Sequence, residues 1–426
     1  MPLPTESAPW NFYRLGLTRE KELFKRRRDA YSGVVVPAHI ASYYAKFCTE
    51  FIGSLQKPYF IDPITYIFAR RPSALLRFVK DRKGHTKRDA AGKKQKGDMK
   101  RSFRKIVEAY GELITNVVQA GRPLEVSDFA NDRLVSEFVT KVVNFQKSTL
   151  ASLPPKYKKY AKFAQRLGKD FSSQENLPVL LMAPYFSVED PKWVSVNIDL
   201  IGRTKKISSD LPTFATIAAP LDRLAASGKR LVEQYKTANP DGFFLWVDDF
   251  SGTTEIGSLR VVRNFVRDLA TLGKPIVALY GDAYCLVLKH FGLTGFACGI
   301  CYGEKRSVDQ DTDVEGQIPP RYYIAQLKKK IEIETEARRR DPSKFPSLRC
   351  PCDVCTRTTN LADLDEAQTR EHFMLARSAE VAQLRNGQTA QAMAKELQQS
   401  YEEFKNELIF APVYHLNNWS RLITEP

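Results

Sequence analysis

Short runs rich in β-branched and aromatic residues alternate with amphipathic stretches of helical period along most of this chain, and that alternation restricts it to few architectures. Strand-like runs fall at Val34–Pro37, Tyr59–Ile61, Val179–Ala183, Val194–Ile198, Phe214–Ile217, Phe243–Val247, Ile276–Leu279 and Phe296–Ile300. Helical patterns such as Leu221–Thr237 and Leu259–Leu272 lie between them. Strand, helix and strand repeated in this way build a parallel sheet with helical crossovers. Eight such strands over about 300 residues suit a closed barrel better than an open doubly wound sheet. No G-x-G-x-x-G or P-loop follows any strand, which removes the nucleotide-binding reason for the open form. The expected fold class is therefore α/β, a (β/α)8 TIM barrel.

Two stretches interrupt the pattern, and both are basic. Arg77–Lys105 holds 13 Lys and Arg against Asp81, Asp89 and Asp98, a net +10 in a chain whose total is +16. Pro154–Lys169 interleaves lysines with Tyr157, Tyr160 and Phe163. A charge run is often only a solvated loop, and aromatics at spacing three are often a core stripe. So dense a run nevertheless points to an anionic partner, a polyphosphate backbone that cations neutralise without reading sequence. Lys83, Lys87, Arg88, Lys93, Lys94, Lys96, Lys100, Arg101, Lys158 and Lys159 are the expected nucleic-acid contacts. A membrane partner is not expected: the longest apolar run, Leu177–Phe186, contains Pro and falls far short of the ~20 residues of a spanning helix. The first residues lack the basic and apolar regions of a secretory signal, so a cytoplasmic location is expected.

Cysteine usage fits a reducing compartment. Of seven cysteines, Cys350, Cys352 and Cys355 crowd into six residues, and His372 follows Cys355 after sixteen more on a helical pattern. Three thiolates and one imidazole at this spacing make a four-ligand tetrahedral zinc site, closed to substrate and hence structural, one ion per chain. His415 competes with His372 for the fourth position. Cys48, Cys285, Cys298 and Cys301 sit on apolar segments and read as core residues. After Gly303 come a polar loop, a charged helix expected over Ile324–Arg340, the cysteine cluster, and a helical tail from Leu364 to Leu408 that Gly387 divides in two. The expected division is an N-terminal extension over 1–33, the barrel over 34–306 with its basic insertion at about 77–170, a zinc-binding subdomain with barrel-closing helices over 307–387, and a tail over 388–426.

The Cys-x-Cys-x2-Cys motif with a helical histidine at the end of a βα barrel resembles the tRNA-guanine transglycosylase superfamily. The helix text from His372 to Gly387 looks like the zinc-histidine helix of its archaeal branch. Gly242–Gly252 lies where that family has its base-recognition strand, and Lys274–Gly281 where it has a Pro-x-Tyr-Leu-Met-Gly-like strand. The departure is on the next strand, where Ala297 or Cys298 stands in place of the family's nucleophilic aspartate. With Phe60-Ile-Asp62-Pro-Ile-Thr-Tyr66 resembling the first acidic strand, the chain looks closest to the bacterial and phage paralogues that insert 7-deazaguanines into DNA. The resemblance implies a pentosyltransferase that exchanges guanine for a preQ0-like base in DNA, in a bacterial or phage-infected host cytoplasm. Its partners are DNA, the free 7-deazaguanine and a helper protein of the modification pathway. Barrel enzymes of this kind often dimerise. The alternatives are the same exchange on tRNA, against which the missing aspartate and the lack of a recognisable C-terminal RNA-binding module argue, and an inactive barrel that only binds nucleic acid.

Base exchange with retention needs one carboxylate to attack C1′ and another to shuttle a proton. Barrel sites collect such groups from strand C-termini. Asp62 ends one strand; Asp249 and Asp248 end another, and strand alternation leaves open which of the two faces the pocket. His39, Gly281, Asp282 and Glu304 are expected near the substrate. Each has a structural reading as well: Asp62 can cap the turn at Pro63, Asp248 and Asp249 the turn that follows them, and Asp282 and His39 a helix start.

Overall fold

A computed structural model describes residues 8–16, 20–70, 75–79, 81, 86–89, 95–151, 176–300, 303–309, 320–332, 350–358, 363–407 and 412–425. Eight parallel strands form its centre: β1 (Trp10–Arg14), β2 (Gly33–Pro37), β3 (Tyr59–Asp62), β6 (Leu181–Met182), β7 (Thr213–Ala219), β8 (Gly242–Val247), β9 (Ile276–Leu279) and β10 (Gly295–Cys298). They run in the order β3-β2-β1-β10-β9-β8-β7-β6. The two ends meet where the Val179 amide donates to the Tyr59 carbonyl at 2.9 Å, so the sheet curls into a nearly closed barrel. Two antiparallel hairpins lie outside it, β4 (Leu76–Phe78) with β5 (Lys96–Met99) and β11 (Arg321–Ile324) with β12 (Lys329–Glu332). No helix among the described residues is long and apolar enough to cross a membrane.

The period of two along the strands explains the layering. On β8, Phe244 and Trp246 point into the barrel, while Phe243 and Leu245 belong to the apolar layer shared with helices Leu221–Thr237 and Ile256–Ala270. Inside, the rings of Phe12 and Phe60 are 5.3 Å apart, Phe60 and Phe244 5.0 Å, and Phe214 and Phe244 5.3 Å. The barrel is thus a packed core rather than a pore, each fully buried ring contributing ~1.5–3 kcal/mol. Gly242 is required beneath this layer, because a Cβ there would meet the Phe214 ring at 2.3 Å.

Three expectations are corrected. Trp10–Arg14, assigned to an extension, is a barrel strand between β2 and β10. Its sequence, WNFYR, reads as a surface segment because polar Asn11 and Arg14 are buried by specific partners rather than by hydrophobicity. Val194–Ile198 is not a strand but part of helix Lys192–Ile207, whose Val194, Leu200 and Ile201 form a buried face at helical spacing. The helix expected from Ile324 is, over its described residues, the β11–β12 hairpin, with Lys328 at its turn in a left-handed conformation, φ 52°. The tail does form two helices, Glu366–Arg385 and Ala390–Phe404, separated at Gly387 with φ 90°.

Within the expected insertion, helices Arg101–Tyr110, Glu112–Gln119 and Asp132–Ser148 pack against the barrel between β3 and β6, burying Phe103, Tyr110, Ile114 and Phe138. Lys83, Lys93, Lys94, Lys158, Lys159, Tyr157, Tyr160, Phe163 and Cys301 lie outside the described residues.

Candidate active site and metal centre

Parallel strands aim their C-termini at one face, and there the barrel gathers a buried carboxylate, two guanidiniums and a set of rings. Asp62, the last residue of β3, is 0% exposed. Its Oδ2 accepts from Arg14 Nη1 at 3.0 Å, and its Oδ1 from the Tyr185 hydroxyl at 3.0 Å and the Ile64 amide at 2.9 Å. A buried carboxylate left with any of these unmade is costly, so the three donors orient it and neutralise it together. Arg14, which closes β1, also lies over the Tyr280 ring at 4.4 Å. Arg306 reaches the same ring from after β10, at 5.4 Å, and its carbonyl accepts from Trp246 Nε1 at 3.1 Å.

The walls are aromatic. Tyr66 stacks on Tyr185 at 5.7 Å and meets Trp246 edge-on at 4.8 Å, and Trp246 lies 5.0 Å from Tyr280. Tyr280 adopts φ 57°, a left-handed conformation a bulky residue takes only under constraint, and its buried hydroxyl has no hydrogen-bond partner among the described residues. Tyr110 donates to the Pro63 carbonyl at 2.8 Å and so braces the turn behind Asp62.

The other acids take different places. Asp248 sits in the turn just past β8, half-buried, and its Oδ1 accepts from the Val308 amide at 2.5 Å. Burial raises its pKa above the ordinary carboxylate value. Asp249 takes φ 49° and turns outward, 60% exposed, to Lys305 at 3.0 Å, a pair worth ~0–1 kcal/mol in solvent. Asp282 accepts from the amides of Gly252 at 2.5 Å and Tyr284 at 2.9 Å, locking the loop after β8 to the loop after β9, and burial pushes its pKa up to about 6. Gly281 precedes it, with its amide bonded to the Ala297 carbonyl at 2.9 Å. Glu304 pairs with Lys330 at 2.6 Å and Arg377 at 3.2 Å, in a network that joins the barrel to the hairpin and helix Glu366–Arg385. Asp62 therefore has the inward position; Asp248, Asp249, Asp282 and Glu304 are held by rim and inter-element contacts.

His39, just after β2, stacks on Phe103 at 5.6 Å. Burial, then the charges of Arg306, Arg14 and Lys100, lower its pKa to about 3, so it is neutral at pH 7. Its Nδ1 is buried without a hydrogen-bond partner among the described residues.

Cys350, Cys352, Cys355 and His372 form a compact cluster whose ligating atoms all lie within 4.8 Å of one another. His372 Nδ1 stands 3.5 Å from Cys352 Sγ and 3.3 Å from Cys355 Sγ. A tetrahedral ion with bonds of ~2.3 Å to sulfur and ~2.0 Å to nitrogen separates such ligands by about 3.5 Å, so the donor set fits a metal ion. His372 Nε2 faces the Tyr323 carbonyl at 2.6 Å, which directs Nδ1 to the thiols, and Tyr322 stacks flat on the imidazole at 4.2 Å. His415 is not in the cluster: its Nε2 faces the Leu327 carbonyl at 2.9 Å and its ring packs on Trp419.

Arg14, Tyr66, Tyr185, Trp246, Tyr280 and Arg306 were not expected at the site. Arg14 hides in a segment without a clean strand pattern, and the rings resemble any core aromatics. Arg306 follows Glu304 and Lys305 in a charged run that reads as a surface loop.

No protein-family model matches the chain, and no curated protein matches it. Similar solved structures include TsXylA, the intracellular xylanase from Thermoanaerobacterium saccharolyticum, with 9% identity and a TM-score of 0.36 over 74% of this chain and 93% of that one. A mutant of the same xylanase in complex with xylotetraose gives 10% identity and a TM-score of 0.33 over 75% and 92%.

Proposed function

We propose that this protein is a guanine transglycosylase that exchanges guanine for a 7-deazaguanine in DNA, with Asp62 and Asp248 as its carboxylates. The observation that carries the reading is Asp62 itself, an oriented carboxylate at the barrel mouth, ion-paired to Arg14 and enclosed by rings that can sandwich a flipped-out base. In the proposed exchange, an Asp62 oxygen bonds to C1′ as the bond from C1′ to guanine N9 breaks. The departing base takes a proton from Asp248, whose burial favours the protonated form. The incoming 7-deazaguanine returns a proton to Asp248 as its N9 bonds to C1′ and the ester to Asp62 breaks, so nothing is consumed but one base for another. Asp62 is fully buried, so a base reaches it only if a ring of the wall yields.

Zinc is the ion assigned to the cysteine cluster, since three thiolates and an imidazole in tetrahedral array suit it, and its four-ligand closure makes it a staple rather than a reagent. A nucleic-acid-binding barrel without chemistry is the rival, favoured by the complete engagement of both Asp62 oxygens. Trapping separates the two: acid-quenching the enzyme on a labelled guanine-containing strand, with no incoming base, should leave strand attached to the protein on a denaturing gel. Asp62→Asn should abolish the adduct and keep binding. No adduct with the wild type contradicts the exchange.

A further inference from the structure

A groove of about 590 Å³ opens beside the barrel mouth, and it is formed by pieces distant in sequence: the helix after β2, the β4–β5 hairpin and the start of helix Arg101–Tyr110. Four cations, Arg77, Lys100, Arg101 and Arg104, line it against one carboxylate, Asp98, which Arg77 already pairs at 2.9 Å. Its size matches a pocket for one or two nucleotide-sized groups rather than a duplex.

Two features of the groove go beyond a general taste for anions. The first is Tyr44, 46% exposed, one of few large apolar side chains so open among the described residues; it stands edge-on to Tyr43 at 4.6 Å, and Lys105 lies 5.5 Å from the Tyr43 ring. Exposed aromatics beside cations are what unpaired bases stack on. The second is His39, which lines the groove and is near enough to Arg14 and Arg306 at the mouth to feel their charge. Its buried Nδ1, unpartnered among the described residues, marks the junction as a place where a polar group of a ligand can be received.

We propose that this groove holds an unpaired stretch of the polynucleotide next to the target, its phosphates on Lys100, Arg101 and Arg104 and one base stacked on Tyr44, feeding the neighbouring nucleotide past His39 into the mouth. The inference rests on the proposed exchange for what enters the mouth, but the groove can be tested without it. A strand held there is single, so the protein prefers substrate that is already open or opens it by capturing one strand. Tyr44 marks the position at which strands part.

The test is fluorescence anisotropy of the full chain with a labelled twelve-nucleotide oligo-dT and with a blunt hairpin duplex, at two salt concentrations. Tyr44→Ala should weaken the single strand about five- to hundredfold, the range for removing one stacked base, and leave the duplex within about twofold. Tyr44→Trp should restore single-strand affinity. The double variant Lys100→Glu/Arg104→Glu should weaken binding and lower the salt slope by about 0.7 for each phosphate left without its cation. Lys229→Glu/Arg230→Glu, an equal charge change on an exposed helix elsewhere, should do neither. Unchanged single-strand affinity in Tyr44→Ala, or an equal weakening in the Lys229/Arg230 control, overturns the proposal. Base exchange that persists with unaltered groove binding sinks only the groove; groove-dependent binding without exchange sinks only the reading above.

Discussion

On the proposed exchange Asp62 carries two burdens, one chemical and one structural, and substitutions can part them. Asp62→Asn keeps the shape and an acceptor for the Tyr185 hydroxyl but removes the counter-charge of Arg14, so the protein should stay folded at lower stability while exchange falls by about 10³-fold or more, read by base incorporation. Asp62→Ala leaves Arg14 buried and unpaired and should cost roughly 3–5 kcal/mol in denaturant melts. Asp282 gives a pH signature. Its folded pKa, about 6, lies above the unfolded value, so the folded state binds the proton more tightly and stability falls as pH rises from about 4 to 6. Asp282→Asn keeps an acceptor for Gly252 or Tyr284 and removes the charge. The difference in melting temperature between wild type and variant should therefore change across that window and flatten outside it; a constant difference contradicts the assignment. Such roles are only half legible in sequence. Asp62 stands out because an acid ends a strand before Pro63, whereas the different exposure of Asp248 and Asp249 follows from the left-handed turn at Asp249, which the sequence does not signal.

Among elements, helix Glu366–Arg385 joins the metal cluster to the barrel. His372 faces the cluster from its second turn, and further along Arg377, 1% exposed, bridges Glu304 of the β10 loop and Glu380. Removing the proposed metal should release both ends of this connection. Elemental analysis of the wild type should give one ion per chain, and a strong chelator, or Cys355→Ser, should remove it and lower the melting temperature; retention of a full equivalent of metal in Cys355→Ser contradicts the four-ligand site. Arg377→Ala should destabilise by roughly 1–3 kcal/mol with metal content unchanged, because Glu304 and Glu380 lose a shared buried cation but keep Lys330 and Lys328. The cluster was readable from spacing alone, since three cysteines in six residues have few other uses. The hairpin that supplies Tyr322 and Tyr323 was not, because its charged residues follow a helical rather than an alternating pattern.

Across the whole molecule, the alternation of strands and helices made the barrel legible, yet one of its eight strands lay in the supposed extension. β1 is identified only by its partners: β2 on one side, β10 on the other, and Arg14 reaching Asp62. Removing it should be felt globally. A chain lacking residues 1–15 should show no cooperative melt, whereas a true extension could be removed without effect. The basic segment likewise resolves at this scale into a hairpin and helix that wall a groove beside the mouth, and helices 101–148 into a packed layer over the barrel. In the proposed exchange these parts act together: a mouth built around Asp62 is fed by a single strand and exchanges one base for another. Incubating the metal-loaded protein with isotope-labelled 7-deazaguanine and either guanine-containing DNA or tRNA, then digesting and identifying nucleosides by mass spectrometry, tests it most directly. Labelled 2′-deoxy-7-deazaguanosine from DNA, absent with Asp62→Asn, is the expected result; label confined to tRNA, or in neither polymer, contradicts it.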